Sequence, residues 1–142
     1  MNPRLSGGSF GNFKNRKGIR MPVNQRNKQV TGKIGETLAV SYLQRAGFQL
    51  LQRNWRSGRV EIDLIAHKGN TLHFIEVKTR RNLRYGWPEE HIKPGKITRM
   101  MIAVEAFLQT FPKPSLVQLD ILSIVLSDRR PPVFWLIEDV YM

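Results

Sequence analysis

The sequence predicts a single α/β domain in which a mixed sheet is flanked by helices. Three observations lead to this fold class: an apolar stripe at helical spacing, then three short apolar segments separated by turn residues, then a second helical stripe followed by a long apolar strand. The predicted order is αβββαβ, with one more strand at the end. The chain has 142 residues, a length typical of one domain with one core.

The bounds of these elements follow from apolar spacing and from turn residues. We expect helices over residues 33–46 and 97–111, and strands over residues 48–55, 60–66, 72–79, 116–126 and from 133 onward. Gly47 is a natural end for the first helix, and Lys68-Gly69-Asn70 is a turn signal between the second and third strands. These three strands are therefore expected to form an antiparallel meander.

Composition excludes several classes of protein. The chain has no cysteine, so neither a disulfide framework nor a thiolate zinc site can form. Its three histidines lack the close spacing of a helical metal motif. No apolar run reaches the roughly 18 residues that a membrane span requires, and the amino terminus lacks the apolar core of a secretion signal. We expect a soluble, cytoplasmic protein without a membrane partner.

The net charge of +12 predicts a polyanionic partner, because basic surfaces attract phosphate backbones. Residues 1–33 hold eight Lys and Arg residues and no acid, so much of this charge lies at the amino terminus. Residues 1–31 lack apolar periodicity, and we expect them to form a disordered basic tail before a domain over residues 32–142. The tail could bind nucleic acid without specificity, or it could serve only to keep the protein soluble.

Charged residues interrupt two strands that should be buried. The first is Glu61-Ile62-Asp63-Leu64-Ile65, and the second contains Glu76-Val77-Lys78. Side chains two apart share a face of a strand, so Glu61 and Asp63 are expected on one face, and Glu76 with Lys78 on one face of the next strand. If residues 68–71 make the turn, the register sets Asp63 opposite Glu76 and Glu61 opposite Lys78.

Two opposed carboxylates need a neutralising partner. Their Cβ atoms would lie about 4.5 to 5.5 Å apart, and two like charges about 4 Å apart at an effective dielectric near 20 repel by roughly 4 kcal/mol. A divalent ion that prefers oxygen ligands, such as Mg²⁺, removes this repulsion and can still bind water and phosphate. The alternative interpretation is a solvated sheet face that carries ion pairs. Glu61 is itself best interpreted as the ion-pair partner of Lys78.

Glu36 is a third candidate acid. At about 100° per residue it falls inside the broad apolar arc of the first helix, so its side chain is expected to face protein. A carboxylate in that position either belongs to a structural ion pair or contributes to a site. A helix packed on the meander could bring Glu36 towards Asp63 and Glu76.

Three segments of the chain resemble the YraN-like family of bacterial proteins: residues 32–56, 61–66 and 74–80. Those proteins are predicted nucleases related to archaeal Holliday-junction resolvases and to the PD-(D/E)xK superfamily, whose core is restriction-endonuclease-like. The likeness spans residues 31–142. Ile62 replaces the proline that names the superfamily, and Val60 replaces a usual glycine, but neither position supplies a ligand.

The resemblance implies a metal-dependent endonuclease that acts on branched or structured DNA. It implies that Asp63, Glu76 and the Val77 carbonyl bind Mg²⁺ or Mn²⁺, and that Lys78 lies beside the attacking water. Glu36 would hold a water or a second metal. Junction resolution would also favour a two-fold homodimer.

Other residues are weaker candidates, and each has a simpler interpretation. Asp120 interrupts the apolar strand 116–126, where it could support the site or be a buried carboxylate satisfied by backbone donors. Lys96 and Arg99 begin the second helix, where they could receive phosphates or simply face solvent. The stretch Arg84-Tyr85-Gly86-Trp87 could bind nucleic acid or cover the core.

Two other functions compete with a DNA endonuclease. A noncatalytic nucleic-acid-binding protein could retain the same fold, although the intact set of Asp63, Glu76 and Lys78 argues against a dead site. The basic tail also suggests a ribosome-associated or RNA-processing factor. Metal-dependent cleavage, compared between DNA and RNA substrates, separates these functions.

Overall fold

The computed structural model describes residues 23–81, 93–111 and 116–140, which form two helices and one five-stranded sheet. The elements are α1 (Val23–Arg45), β1 (Gln49–Ser57), β2 (Val60–Lys68), β3 (Thr71–Arg80), α2 (Pro94–Thr110), β4 (Leu116–Val125) and β5 (Val133–Ile137). The predicted αβββαβ order with a terminal strand is confirmed.

The sheet is mixed, as predicted. Its strands lie in the order β1-β2-β3-β4-β5. Strands β1, β2 and β3 form the expected antiparallel meander, β5 runs antiparallel to β4, and β3 runs parallel to β4. The chain between β3 and β4 contains α2, because two parallel neighbours need a crossover connection. Strand β3, which carries Glu76 and Lys78, is therefore the central strand of the sheet.

Helix α1 begins earlier than the sequence pattern predicts. The expected start near residue 33 is wrong, because the helix is already formed at Val23. Its first turns carry exposed side chains from Asn27 to Val30, so they show no apolar periodicity from which a helix could be predicted. The chain divides between Val30 and Thr31 into two units, and the sheet, α2 and the rest of α1 belong to the second.

The core of the second unit has two parts, one on each face of the sheet. Ala39 and Leu43 of α1 pack with buried residues of the sheet on one face. Met100, Val104 and Phe107 of α2 pack with buried residues on the other. Burying both faces explains why β4 is almost continuously apolar. Neither described helix is long and apolar enough to cross a membrane.

Strand β2 changes the facing of its side chains at Asp63. Ile62 packs in the α2 part of the core and Leu64 in the α1 part, although residues two apart should share a face. The β1 residue opposite Asp63 is Asn54, which has a left-handed backbone with φ 50°. A local break of this kind re-aims side chains. Glu61 and Asp63 lie on the two sides of this break, and their shared face stays a prediction.

Candidate active site

The candidate site lies where β2 and β3 separate. Their pairing runs from Lys68 opposite Thr71 to Leu64 opposite Ile75, which confirms the predicted register over these residues. The same register sets Asp63 opposite Glu76, just beyond the last pair. There the Val77 amide donates a hydrogen bond to Oδ2 of Asp63 at 2.8 Å. The side-chain carboxylate of Asp63 thus accepts a backbone hydrogen bond at the point where the pairing of β2 with β3 ends.

Glu76 is a buried acid whose two oxygens have different surroundings. The residue is 9% exposed. Its Oε1 lies 2.8 Å from Nζ of Lys96, in the first turn of α2. Its Oε2 is buried and has no hydrogen-bond partner among the described residues. A buried carboxylate oxygen without a donor is costly, so this atom is where a bound ligand would be most stabilising.

Burial and repulsion act together on Asp63. Burial, then the charge of Glu76, and then a hydrogen bond between these two carboxyl groups when Asp63 holds a proton, raise the pKa of Asp63 from 3.8 to about 7, with a smaller contribution from Glu36. The hydrogen bond from Val77 opposes this rise, because it favours the charged carboxylate. At neutral pH this carboxyl therefore lies close to the balance between its two protonation states, and a nearby cation would favour the charged one.

Lys78 lies two residues after Glu76 on β3 and is half-buried. Burial lowers the pKa of Lys78, and the positive charges of Arg80, Lys96 and Lys93 lower it further. The charge of Glu76 acts in the opposite direction, which shows that the two groups are electrostatically close. The site therefore combines two carboxylates with a partly desolvated amine.

Glu36 reaches the same region from α1. The Asn54 side-chain amide donates a hydrogen bond to its Oε2 at 3.3 Å, and its charge acts on Asp63. The preceding Gly35 allows this approach, because a Cβ at that position would overlap the hydroxyl of Thr79 on β3. The helix thus packs directly on the central strand, and the half-buried Glu36 faces protein as expected.

Two weaker candidates have other partners than the site. Glu61 forms an ion pair with Arg56 of β1 at 3.0 Å, so the expected pair with Lys78 is wrong. Asp120 is fully buried: its Oδ2 shares a hydrogen bond with Nδ1 of His73 at 2.6 Å, and its Oδ1 accepts one from the Asp139 amide at 2.9 Å. Asp120 is therefore a buried carboxylate satisfied by donors. The stretch 84–87 lies outside the described residues.

The sequence pattern did not identify three contacts of these acids. Asn54 holds Glu36, His73 holds Asp120, and Lys96 pairs with Glu76. Only the position of Asn54 carried a signal, because asparagine is the residue other than glycine that best tolerates a left-handed backbone. No sequence pattern predicts the contact of Lys96 with Glu76, since this contact depends on how α2 crosses the sheet.

The oxygen donors of the site suit a hard divalent cation. No three acidic or histidine side chains within residues 23–81, 93–111 and 116–140 are grouped so as to hold a metal ion. An ion here would therefore be bound by only two side chains, those of Asp63 and Glu76, together with the Val77 carbonyl. Water molecules would complete its coordination shell, as Mg²⁺ commonly requires. The unpartnered Oε2 of Glu76 and the raised pKa of Asp63 are both features that such an ion would relieve.

Comparison with known proteins places the chain in a family. Residues 35–124 match the model described as "Uncharacterised protein family UPF0102". A UPF0102 protein of Dictyoglomus thermophilum is 42% identical over 110 residues, covering 77% of this chain and 92% of its own length. Another, from Chloroherpeton thalassium, is 39% identical over 104 residues, covering 72% of this chain and 81% of its own length.

A solved structure of a Holliday junction resolvase from Archaeoglobus fulgidus is also similar, with a TM-score of 0.44 and 19% identity over 72% of this chain and 74% of that one. The family match and the identity to the curated relatives confirm the resemblance to YraN-like proteins. This chain belongs to the uncharacterised protein family UPF0102.

Proposed function

We propose that this protein is a metal-dependent nuclease that hydrolyses phosphodiester bonds in nucleic acid. The observation that carries the proposal is the buried Glu76, whose Oε2 has no partner in the described part of the chain, opposite Asp63. Acids in this state destabilise an empty fold, so a bound cation is the simplest reason for keeping them. The nearby Lys78 supplies a positive charge that a purely structural metal site would not need.

Each residue has a role that its surroundings support. Asp63 and Glu76 would bind Mg²⁺ or Mn²⁺, together with the Val77 carbonyl. The ion would supply Lewis acidity towards the phosphodiester and would favour ionisation of water. Lys78 would orient the attacking water or stabilise the negative charge that develops on the phosphate. Glu36, held by Asn54, would accept a hydrogen bond from water at the same centre.

The substrate class follows from charge, and its shape follows from resemblance. A net charge of +12 suits a nucleic-acid partner, and Lys96 and Arg99 place positive charge in the first turns of α2. We propose DNA, in a branched or otherwise structured form, because the YraN-like resemblance implies it. A four-armed substrate has two equivalent strands to cut, so a homodimer would suit this activity.

The test compares two near-isosteric variants at neighbouring positions on β3. Glu76→Gln removes a ligand charge, so metal binding and cleavage should fall together. Lys78→Met leaves both carboxylates in place, so metal should still bind while cleavage falls roughly 10²-fold or more. Titration calorimetry measures the first effect. Single-turnover cleavage of duplex, single-stranded and four-way-junction DNA and of RNA measures the second.

The outcomes separate the competing functions. Full cleavage by Lys78→Met would remove the role assigned to that residue. Binding of nucleic acid without cleavage of any substrate, in Mg²⁺ or Mn²⁺, would make the protein a noncatalytic binder. Cleavage of RNA alone would move the function to RNA processing.

A further inference from the structure

One cation already contacts a proposed metal ligand. Nζ of Lys96 lies 2.8 Å from Oε1 of Glu76 and joins the start of α2 to the central strand. The side chain of Glu76 is 12% exposed, whereas that of Lys96 is 35% exposed. The lysine therefore reaches inward from a partly solvated position, and its ammonium compensates part of the buried charge of Glu76.

The same lysine lines a pocket with positive character. The pocket has a volume of about 150 Å³, and Arg59, Lys96 and Arg99 are the cations that line it. Its one acid, Glu61, already pairs with Arg56. The remaining cations are free of that pair and have the chemistry that recognises phosphate oxygens. Lys96 thus belongs both to the acidic site at Glu76, which would bind a cation, and to the basic pocket, which would bind an anion.

We propose that Lys96 is a shared counter-ion that couples binding of the divalent cation to binding of a nucleic-acid phosphate. Without ligands it pairs with Glu76. A divalent cation at Oε2 neutralises the carboxylate and so weakens its attraction for the ammonium at Oε1, which is then released to bind a backbone phosphate in the pocket beside Arg59 and Arg99. A phosphate in the pocket draws the ammonium away and leaves Glu76 free for the metal.

The coupling must be reciprocal, because each ligand removes one partner from the same ion pair. If nucleic acid raises metal affinity, metal raises nucleic-acid affinity by the same factor. We expect about a tenfold effect, within the usual range for coupled sites. The inference rests on the proposed function for the identity of the two ligands, but it does not require cleavage.

The test is titration calorimetry of Mn²⁺ into the full-length protein, with and without a single-stranded phosphorothioate oligodeoxynucleotide that resists hydrolysis. In the wild type, the oligonucleotide should tighten Mn²⁺ binding about tenfold. Lys96→Met should bind Mn²⁺ more tightly than the wild type when no oligonucleotide is present, and the oligonucleotide should cause no further increase.

A matched control separates the ion pair from a general loss of charge. Lys93→Met removes an exposed cation immediately before the same helix, and should retain the coupling of the wild type. Lys96→Arg keeps the charge and should retain most of it. Thermal unfolding of each variant shows whether the fold is intact, and Lys96→Arg carries the test if Lys96→Met does not fold.

Equal Mn²⁺ affinity and equal coupling in Lys96→Met and Lys93→Met would overturn the proposal. So would complete loss of coupling in Lys96→Arg with the fold intact and Mn²⁺ still bound. Absence of Mn²⁺ binding in the wild type would overturn it together with the metal centre. Coupling that depends on Lys96, in a protein that cleaves nothing, would support the proposal and contradict the nuclease function.

Discussion

Asp120 and Glu76 lie buried on adjacent parallel strands of one sheet, yet their carboxylates differ in the partners that they have. Asp120 has a partner at each oxygen, His73 on one side and the Asp139 amide on the other. Glu76 has Lys96 at one oxygen and no partner for the other within the described residues, and it lies opposite a second acid, Asp63. The first carboxylate is complete within the protein, and the second is not.

The difference shows that burial of an acid does not by itself mark a site. A buried carboxylate with both oxygens bonded holds the chain together, and Asp120 does so by joining β4 to β3 and to the segment after β5. A buried carboxylate with an unused oxygen beside another acid is unstable without a further ligand. Unsatisfied bonding capacity therefore distinguishes the candidate site from the structural pair.

The largest expected effect is on the completed carboxylate. Asp120→Ala should lower the free energy of unfolding by about 3 kcal/mol, because it leaves both His73 and the Asp139 amide without their acceptor. Denaturant unfolding measures this. The control Asp128→Ala removes an acid that is 95% exposed, and should change stability by less than about 0.5 kcal/mol. Similar effects of the two variants would contradict the structural role of Asp120.

The opposite sign is expected at the incomplete site. The raised pKa of Asp63 means that the folded protein binds this proton more tightly than the unfolded chain. Stability from this group is therefore greatest at low pH, falls as the pH rises from 3.8 to about 7, and then stays low. Asparagine resembles the protonated acid, so Asp63→Asn should stabilise the metal-free protein above that range.

The expected gain for Asp63→Asn is about 2 kcal/mol near pH 8, and it should shrink towards pH 4. Three pKa units would correspond to about 4 kcal/mol, but asparagine cannot donate the hydroxyl hydrogen bond of a protonated acid. Chemical denaturation in EDTA over this pH range measures the effect. Glu61→Gln, which neutralises the acid of an exposed pair on the same strand, is the control. A loss of stability in Asp63→Asn at high pH would contradict the proposed repulsion.

The smallest expected effect is that of the metal itself. A ligand bound only by the folded state stabilises it by about 1.4 kcal/mol at roughly ten times its dissociation constant. Mg²⁺ or Mn²⁺ should therefore raise the melting temperature of the wild type but not that of Asp63→Asn. Calorimetry of both proteins measures this, with Asp128→Ala as a variant that should respond normally. An equal response of Asp63→Asn would place the metal elsewhere.

Much of the site was predictable because local geometry determines it. The turn at Gly69 and Asn70 fixes the antiparallel register of β2 and β3, and hence the opposition of Asp63 and Glu76. Strand periodicity likewise predicts that Lys78, two residues beyond Glu76, shares its face of the strand. These predictions need only the chain between residues 60 and 80, where neighbours in space are also close in sequence.

The contacts that could not be predicted join distant parts of the chain. His73 meets Asp120 only because β3 and β4 pair in one particular parallel register, which follows from the crossover and not from a turn. Lys96 meets Glu76 because of the way in which α2 crosses the sheet, which no local turn determines. The expected pair of Glu61 with Lys78 failed because Glu61 pairs instead with Arg56, which lies opposite it on β1.

The hydrogen bond from Val77 to Asp63 gives the protein a spectroscopic probe of its own. Most strand amides donate to backbone carbonyl groups, which do not change their charge. This amide donates to a carboxylate that can gain a proton or bind a cation. The chemical shift of its amide proton should follow the charge on Asp63. A single backbone resonance can therefore be used to follow the state of the centre in solution, without a substrate and without a label on any side chain.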